Sequence, residues 1–310
     1  MNRSTVVVVG SLNMDLVVTT ERMPLVGETV QGSAIHYVPG GKGANQAVGC
    51  AQLGAKTVMI GAVGDDLFGG QIIEQLQGFG LETNRVGRLK GESTGTATIL
   101  HTTKDNCIVI VPGANGCMTA DRISDYSGDL SSAAVVLVQL EIPLDAVKRT
   151  LEIAKAAGAV TVLNPAPAPS EPLPKELLEL VDILTPNETE FAVLSNHSPD
   201  AADEELMVQM LKWEETYGNR IAVTRGSIGC SYIEKGQLIT IPTLQVEVTD
   251  TTGAGDCLNA ALCSGLAAGH GFSESIRYAV AASSLSVTKF GAQAGMPTDA
   301  EVRTALQQVQ

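Results

Sequence analysis

Short β-branched runs alternate with longer stretches of helical periodicity along most of this 310-residue chain, and that alternation restricts the fold more than any other feature. Residues 6–10, 57–63, 135–139, 160–164, 183–185 and 221–224 read as strands without polar alternation, hence buried on both faces. Between them, residues 43–53, 68–79, 144–157, 175–180, 188–194 and 204–217 read as helices. Strand–helix succession of this kind gives a mostly parallel sheet with helices on both sides. After Ile241 the pattern turns mainly helical, over 254–268, 273–288 and 298–307. Two segments, 16–38 and 95–111, break the alternation with strand-like stretches separated by turns. Extra strands off a parallel sheet are candidates for a lid or an oligomer surface. The run Asn164-Pro165-Ala166-Pro167-Ala168-Pro169 follows a strand directly and reads as a rigid loop at its C-terminal end, where α/β sheets place ligands.

Charge narrows the partners. With 20 Lys+Arg against 34 Asp+Glu the net charge is −14, and no basic run is present, which disfavours a nucleic acid or an anionic membrane surface. Apolar stretches stay far below the roughly 18 residues of a membrane span, and no signal-peptide pattern opens the chain. The six Cys show no C-x-x-C pair and no clustering with His, so they read as reduced thiols of a cytoplasmic protein rather than zinc ligands.

Three Gly-rich or polar stretches carry candidate chemistry. Asp250-Thr251-Thr252-Gly253-Ala254-Gly255-Asp256 opens a helix, and free N–H groups at a helix N-terminus form an anion site made of backbone alone. A carboxylate beside such a site repels its anion, unless Asp256 acts as a base toward a hydroxyl attacking a phosphorus held by those amides. The alternative is a helix cap and a chain turn. Pro39-Gly40-Gly41-Lys42-Gly43-Ala44-Asn45-Gln46 opens the first long helix; Lys42 and Asn45 offer donors for hydroxyl oxygens, or the glycines merely start the helix. In Pro186-Asn187-Glu188-Thr189-Glu190, Asn187 and Glu190 share a face of a first helical turn, as a capping box, as a site for phosphate-bound Mg²⁺, or as both. Asn13, Asp15 and Glu141 follow strands, as groups of a polyol site would.

Taken in order, these stretches resemble the PfkB carbohydrate kinase family over nearly the whole length. Gly40-Gly41-Lys42-Gly43-Ala44-Asn45 is similar to its N-terminal signature and residues 250–256 to its C-terminal one. The stretches at 9–15, 139–141, 164–168 and 185–190 resemble the ribokinase branch. The resemblance implies a three-layer αβα sandwich with a mostly parallel central sheet, spanning 1–310 as one kinase domain. A small β-sheet lid would come from about 15–38 and 95–111 and pair two chains in a homodimer. It implies transfer of a phosphoryl group from ATP to the 5-hydroxyl of D-ribose. Asn13, Asp15, Gly41, Lys42, Asn45 and Glu141 would hold the sugar, Asp256 would take the 5-hydroxyl proton, and Gly253, Ala254 and Gly255 would supply the anion hole. Asn187 and Glu190 would organise Mg²⁺-bound phosphates; Thr224, Gly226, Ser227, Gly229, Gly255 and Val280 would meet the nucleotide. A K⁺ site would use Asp250, Thr252, Ser286, Lys289, Gly291 and Gly295, with Gly295 standing where relatives usually carry a hydroxyl. The other readings are a family kinase for fructose, 2-deoxyribose or a nucleoside, and a non-catalytic sugar-binding relative. Because residues 250–268 contain two Asp and no Lys or Arg, phosphate recognition would rest on amides and imported metal ions.

Overall fold

Val6, Val7, Val8 and Val9 place a branched apolar side chain on both faces of one strand, so both faces need cover. In the computed structural model, which describes residues 4–102 and 106–309, that strand lies inside a nine-stranded sheet. The strands are β1 (Thr5–Val9), β2 (Asn13–Thr20), β3 (Gly32–Gly40), β4 (Lys56–Gly64), β5 (Val86–Leu89), β6 (Gly95–His101), β7 (Asn106–Val111), β8 (Val135–Gln139), β9 (Val160–Asn164), β10 (Ile183–Leu184), β11 (Arg220–Thr224), β12 (Cys230–Glu234) and β13 (Gln237–Ile241). The helices are α1 (Lys42–Gln52), α2 (Leu67–Gly78), α3 (Ala120–Ser124), α4 (Ser127–Ser132), α5 (Leu144–Ala156), α6 (Lys175–Leu178), α7 (Glu188–Ser195), α8 (Asp203–Tyr217), α9 (Ala254–Ala267), α10 (Phe272–Ser286), α11 (Ala292–Gly295) and α12 (Asp299–Val309).

The large sheet runs β13-β12-β11-β10-β9-β8-β1-β4-β5. Pairing is parallel from β5 to β11 and antiparallel where β12 and β13 extend the far edge. Val6 and Val8 enter one apolar cluster with residues of α1, α9 and α10, while Val7 and Val9 enter a second with residues of α5 and α8. Those two clusters are the two helix–sheet interfaces of a three-layer αβα sandwich.

The two segments that break the alternation build a separate four-stranded sheet, β3-β2-β6-β7, in which β2 pairs β6 in parallel and β3 and β7 run antiparallel on the edges. Of the expected lid segment 95–111, residues 103–105 lie outside the described residues. Ile35 and Tyr37 on β3 and Ile108 to Val111 on β7 leave apolar surface exposed. Among the described residues no helix is long and apolar enough to cross a membrane.

Candidate active site

Parallel strands end on one edge, and the strand order decides where along it a crevice opens. From β1 the chain builds one flank, β4 and β5, then returns to build the other from β8, so the connections diverge between β1 and β8. A cleft forms outside the strand ends at such a reversal. Ser11, after β1, and Glu141, after β8, meet across it: Ser11 Oγ donates to Glu141 Oε2 at 2.5 Å, and the Lys42 N–H donates to the same oxygen at 3.1 Å.

The glycines of the first motif let α1 come this close. Gly41 sits at φ 89°, and a Cβ on it would lie 2.7 Å from Asn13 N; one on Gly43 would lie 2.6 Å from Gly10 C and Ser11 N. Gly40 abuts the Asp15 carboxylate in the same way. Opposite, Gly253 at φ 79° turns the chain into α9. The Ala254 N–H donates to Thr251 O at 3.2 Å, whereas among the described residues no backbone carbonyl takes the N–H groups of Gly253 and Gly255. Of the three amides expected to form an anion hole, two are therefore open and the third is engaged.

Lys42, Asn187, Glu190, Thr224, Gly253, Ala254, Gly255 and Asp256 line one cavity of about 150 Å³, together with Asn164, Ala166, Thr185, Thr251 and Asn259. Asn13 and Glu141 line a neighbouring cavity of about 420 Å³ with Asn115 and with Ile110 of the smaller sheet. Asn115 orients Asn13: its Nδ2 donates to Asn13 Oδ1 at 2.8 Å, which leaves the Asn13 amine for a ligand. Asp256 is buried in the first turn of α9 and accepts from Asn45 Nδ2 and Gln46 Nε2, both at 2.9 Å. Asn187 and Glu190 form the full capping box of α7: Asn187 Oδ1 accepts from the Glu190 N–H at 2.7 Å and Glu190 Oε2 from the Asn187 N–H at 2.9 Å. Among the described residues the other Glu190 oxygen has no hydrogen-bond partner.

Burial dominates the electrostatics. It pushes the Asp15 carboxyl up to about 7, helped by the Glu141 and Asp256 carboxylates and opposed by Lys42. Asp256 is also raised by burial, against the pull of Lys42, Asn45 and Gln46, and Glu190 is raised by burial. For Lys42, burial works against the ammonium, yet Asp256, Glu141, Glu190 and Asp15 outweigh it and hold its value above normal. One ammonium thus serves four carboxylates.

The remaining expected site residues fall into two groups beside the cleft. Thr224 ends β11, and a short 3-10 turn, Gly226–Ile228, follows it. Gly229 has φ 118° and lies so close to Ile241 O that no Cβ fits. Arg225 in this loop is committed, to Glu188 at 3.1 Å and Asp203 at 2.8 Å. Val280, expected beside the nucleotide, is 1% exposed and enclosed in the apolar core of α9 and α10. Asp250 accepts from the N–H groups of Thr252 (2.9 Å) and Gly291 (2.8 Å). At Gly295 a Cβ would meet Ser286 O at 2.6 Å and Lys289 O at 3.8 Å, so carbonyl oxygens converge there. Lys289 sends its own ammonium to Glu301 at 3.3 Å.

The sequence reading missed Ser11, Gln46, Asn115, Gln139, Asn164 and Gln293 as site residues. The available signal was a polar amide on an otherwise apolar, small-residue face, as at Gln46 between Ala44, Ala47 and Val48.

The αβα sandwich, the separate small sheet and a polar cleft with a buried carboxylate at a glycine-led helix start define a small-molecule kinase class. The chain belongs to the pfkB family of carbohydrate kinases, whose model matches residues 3–299. It is 40% identical over 299 residues to a ribokinase of Bacillus subtilis, covering 96% of this chain and 98% of that one. It is 33% identical over 294 residues to a deoxyribokinase of Salmonella typhi, covering 94% and 95%. The structure of Arabidopsis thaliana ribokinase complexed with ribose and ATP superposes with a TM-score of 0.91 at 34% identity, covering 99% of each chain.

Proposed function

We propose that this chain is a ribokinase, which transfers a phosphoryl group from ATP to the 5-hydroxyl of D-ribose. The observation that carries the reading is Asp256: a buried carboxylate, fixed by two amide donors, one residue after the open N–H of Gly255 at the start of α9. In this reading Asp256 accepts the proton of the attacking hydroxyl, while the Gly253 and Gly255 amides, at the positive end of the helix dipole, stabilise the transferring group. Asn13 and Glu141, from the Ile110 side of the cleft, and Asp15, Gly41, Lys42 and Asn45 hold the sugar hydroxyls. Thr224 and the 226–229 turn receive the nucleotide; Val280 contributes only as the core behind it.

Among the described residues no three His, Cys, Asp or Glu groups gather as a metal cage. The uncommitted Glu190 oxygen instead suits Mg²⁺ that arrives on the ATP phosphates, since that ion is commonly held by one or two carboxylates plus phosphate and water. Mg²⁺ would neutralise phosphate charge. The Ser286 and Lys289 carbonyl oxygens near Gly295, and the Asp250 carboxylate that accepts from the Gly291 N–H, suit a K⁺ ion held by Asp250, Thr252, Ser286, Lys289 and Gly291, several through carbonyls. With glycine at 295 the last ligand is a carbonyl or a water rather than a hydroxyl. We further read the chain as one kinase unit of the cytoplasm, where ATP is made and spent, with the apolar edges of the smaller sheet pairing two copies.

Turnover with Mg²⁺-ATP over ribose, 2-deoxyribose, fructose and nucleosides tests the substrate. Ribose is expected to give the highest kcat/KM, and faster turnover of any other sugar would replace it. Asp256→Asn is expected to keep sugar binding and lose roughly 100-fold or more in kcat. Near-normal turnover in that variant would remove the base from the scheme, and failure of all sugars would leave a binding protein.

A further inference from the structure

Two chains of side-chain amides converge on Asp256, each amide donating along the chain toward it, with one side branch from Gln46 to Asn164. In the first, Gln139 Nε2 donates to Gln46 Oε1 at 2.5 Å, and Gln46 Nε2 donates to Asp256 Oδ1 at 2.9 Å and to Asn164 Oδ1 at 3.1 Å. In the second, Gln75 Nε2 donates to Gln293 Oε1 at 2.8 Å, Gln293 Nε2 to Asn45 Oδ1 at 3.1 Å, and Asn45 Nδ2 to Asp256 Oδ2 at 2.9 Å.

The direction is imposed rather than arbitrary. Asn164 Nδ2 donates to the Thr185 main-chain oxygen at 3.0 Å, and a carbonyl can only accept, so Asn164 must turn its oxygen to Gln46. Gln46 then offers its amine to Asn164 and Asp256 together, and its oxygen accepts from Gln139. The cost shows at Gln139, whose Oε1 is buried with no hydrogen-bond partner among the described residues. Turning that amide over would set two oxygens face to face.

A carboxylate has about four lone-pair sites. The two amines occupy one on each oxygen, which leaves the other sites for the cleft. Gln293, on the four-residue helix α11, is buried and reaches Asp256 only through Asn45.

We propose that Gln46 and Gln293 are positioning residues for phosphoryl transfer, holding the Asp256 carboxylate in one orientation through converging amide chains so that its free lone pairs face the substrate hydroxyl. This rests on the reading of Asp256 as the base. Gln293→Glu keeps the acceptor for Gln75 but presents only oxygen to Asn45, which must turn over and set its own oxygen against Asp256. Gln293→Met removes both functions and lets Asn45 stay.

The test is kcat and KM for the sugar and ATP across pH in both variants. For Gln293→Glu we expect a kcat loss of about tenfold, a KM for ATP within about twofold, a higher KM for the sugar as the turned Asn45 gives up its hydroxyl contact, and the acid limb of the kcat profile moved upward, because Asp256 loses a donor that favours its charged form. Gln293→Met is expected to lose less and leave the limb in place. Equal losses in the two variants with an unmoved limb would mean a structural role only and overturn the proposal, as would wild-type behaviour of both. Should Gln293→Glu not fold, Gln46→Glu, which puts a second carboxylate directly against Asp256, must raise the limb or the proposal fails. Asp256→Asn separates the two ideas: if it turns over normally the base reading falls, and if it is inactive while Gln293→Glu is normal only the positioning role falls.

Discussion

At Asp15 burial sets one carboxyl against the solvent, and the sign of the effect on stability follows. Its value of about 7 in the fold lies above the ordinary 3.8, so between those pH values the folded chain keeps a proton that the unfolded chain has lost. The folded state binds more protons in that window, and stability therefore falls as pH rises through it, by at most about 4 kcal/mol at 1.36 kcal/mol per unit. Asp15→Asn is expected to flatten the dependence of unfolding temperature on pH and to stabilise the free protein above about pH 7. In the proposed role Asp15 accepts sugar hydroxyls best as the ionised carboxylate, so sugar binding has the opposite slope. Below about pH 7 ribose affinity should fall toward tenfold per unit, and calorimetric titration from about pH 5.5 to 8 measures it. A flat profile in the wild-type chain would show that Asp15 does not accept from the ligand.

The α1 element carries Lys42, Asn45 and Gln46 into the cleft, and it does so only because Gly43 lets its first turn rest on the end of β1. A Cβ there meets backbone atoms of Gly10 and Ser11 at 2.6 Å, and backbone has no rotamer with which to yield. Gly43→Ala should push α1 outward, cost roughly 1–3 kcal/mol as overpacking does, and lower kcat as Asn45 and Gln46 leave Asp256. Gly70→Ala in α2, where a Cβ meets nothing within 4 Å, should hold or raise stability by up to about 1 kcal/mol, so thermal unfolding of the pair isolates the contact. If Gly43→Ala unfolds with the wild type and keeps its activity, α1 is not held by this contact. The same element marks how far the sequence could be read. Strands buried on both faces leave uninterrupted apolar runs, so β1, β4, β8, β9, β10 and β11 were legible within a residue or two. The β12–β13 hairpin was not, because its tight turn places Lys235 at φ 51° beside Gly236 at φ 76°, without the Asn-Gly or Asp-Gly pair that announces such turns. β3 was also unread as a strand, since it is exposed over most of its length and lacks a buried alternation. In the cleft, Asp256, Lys42 and Asn45 stood out by their place in Gly-rich motifs. Gln293 and Asn115 did not, because their partners Asn45 and Asn13 are 248 and 102 residues away and nothing local requires an amide at either place.

The net charge of −14 bears on the whole molecule because the ligand it has to hold, ATP, is itself a polyanion. Among the described residues the cleft does not locally reverse the balance: Asp15, Glu141, Glu190 and Asp256 surround the Lys42 ammonium, and the nearby Arg225 is spent on Glu188 and Asp203. Open amides at a helix start contribute partial charge only, on the order of half a unit. A protein arranged this way has to receive its phosphates already neutralised. Nucleotide affinity should therefore fall by roughly tenfold or more when Mg²⁺ is removed with EDTA, and the gap should narrow at high salt, where the repulsion between carboxylates and free ATP is screened. Glu190→Gln should narrow it as well, by letting metal-free ATP bind more tightly while Gln still accepts from the Asn187 N–H and keeps α7 capped. Calorimetric titration of ATP into both proteins, with Mg²⁺ and with EDTA, decides the point. Equal affinity of the wild-type chain under the two conditions would place the counter-charge in the protein itself, against what the arrangement of carboxylates requires.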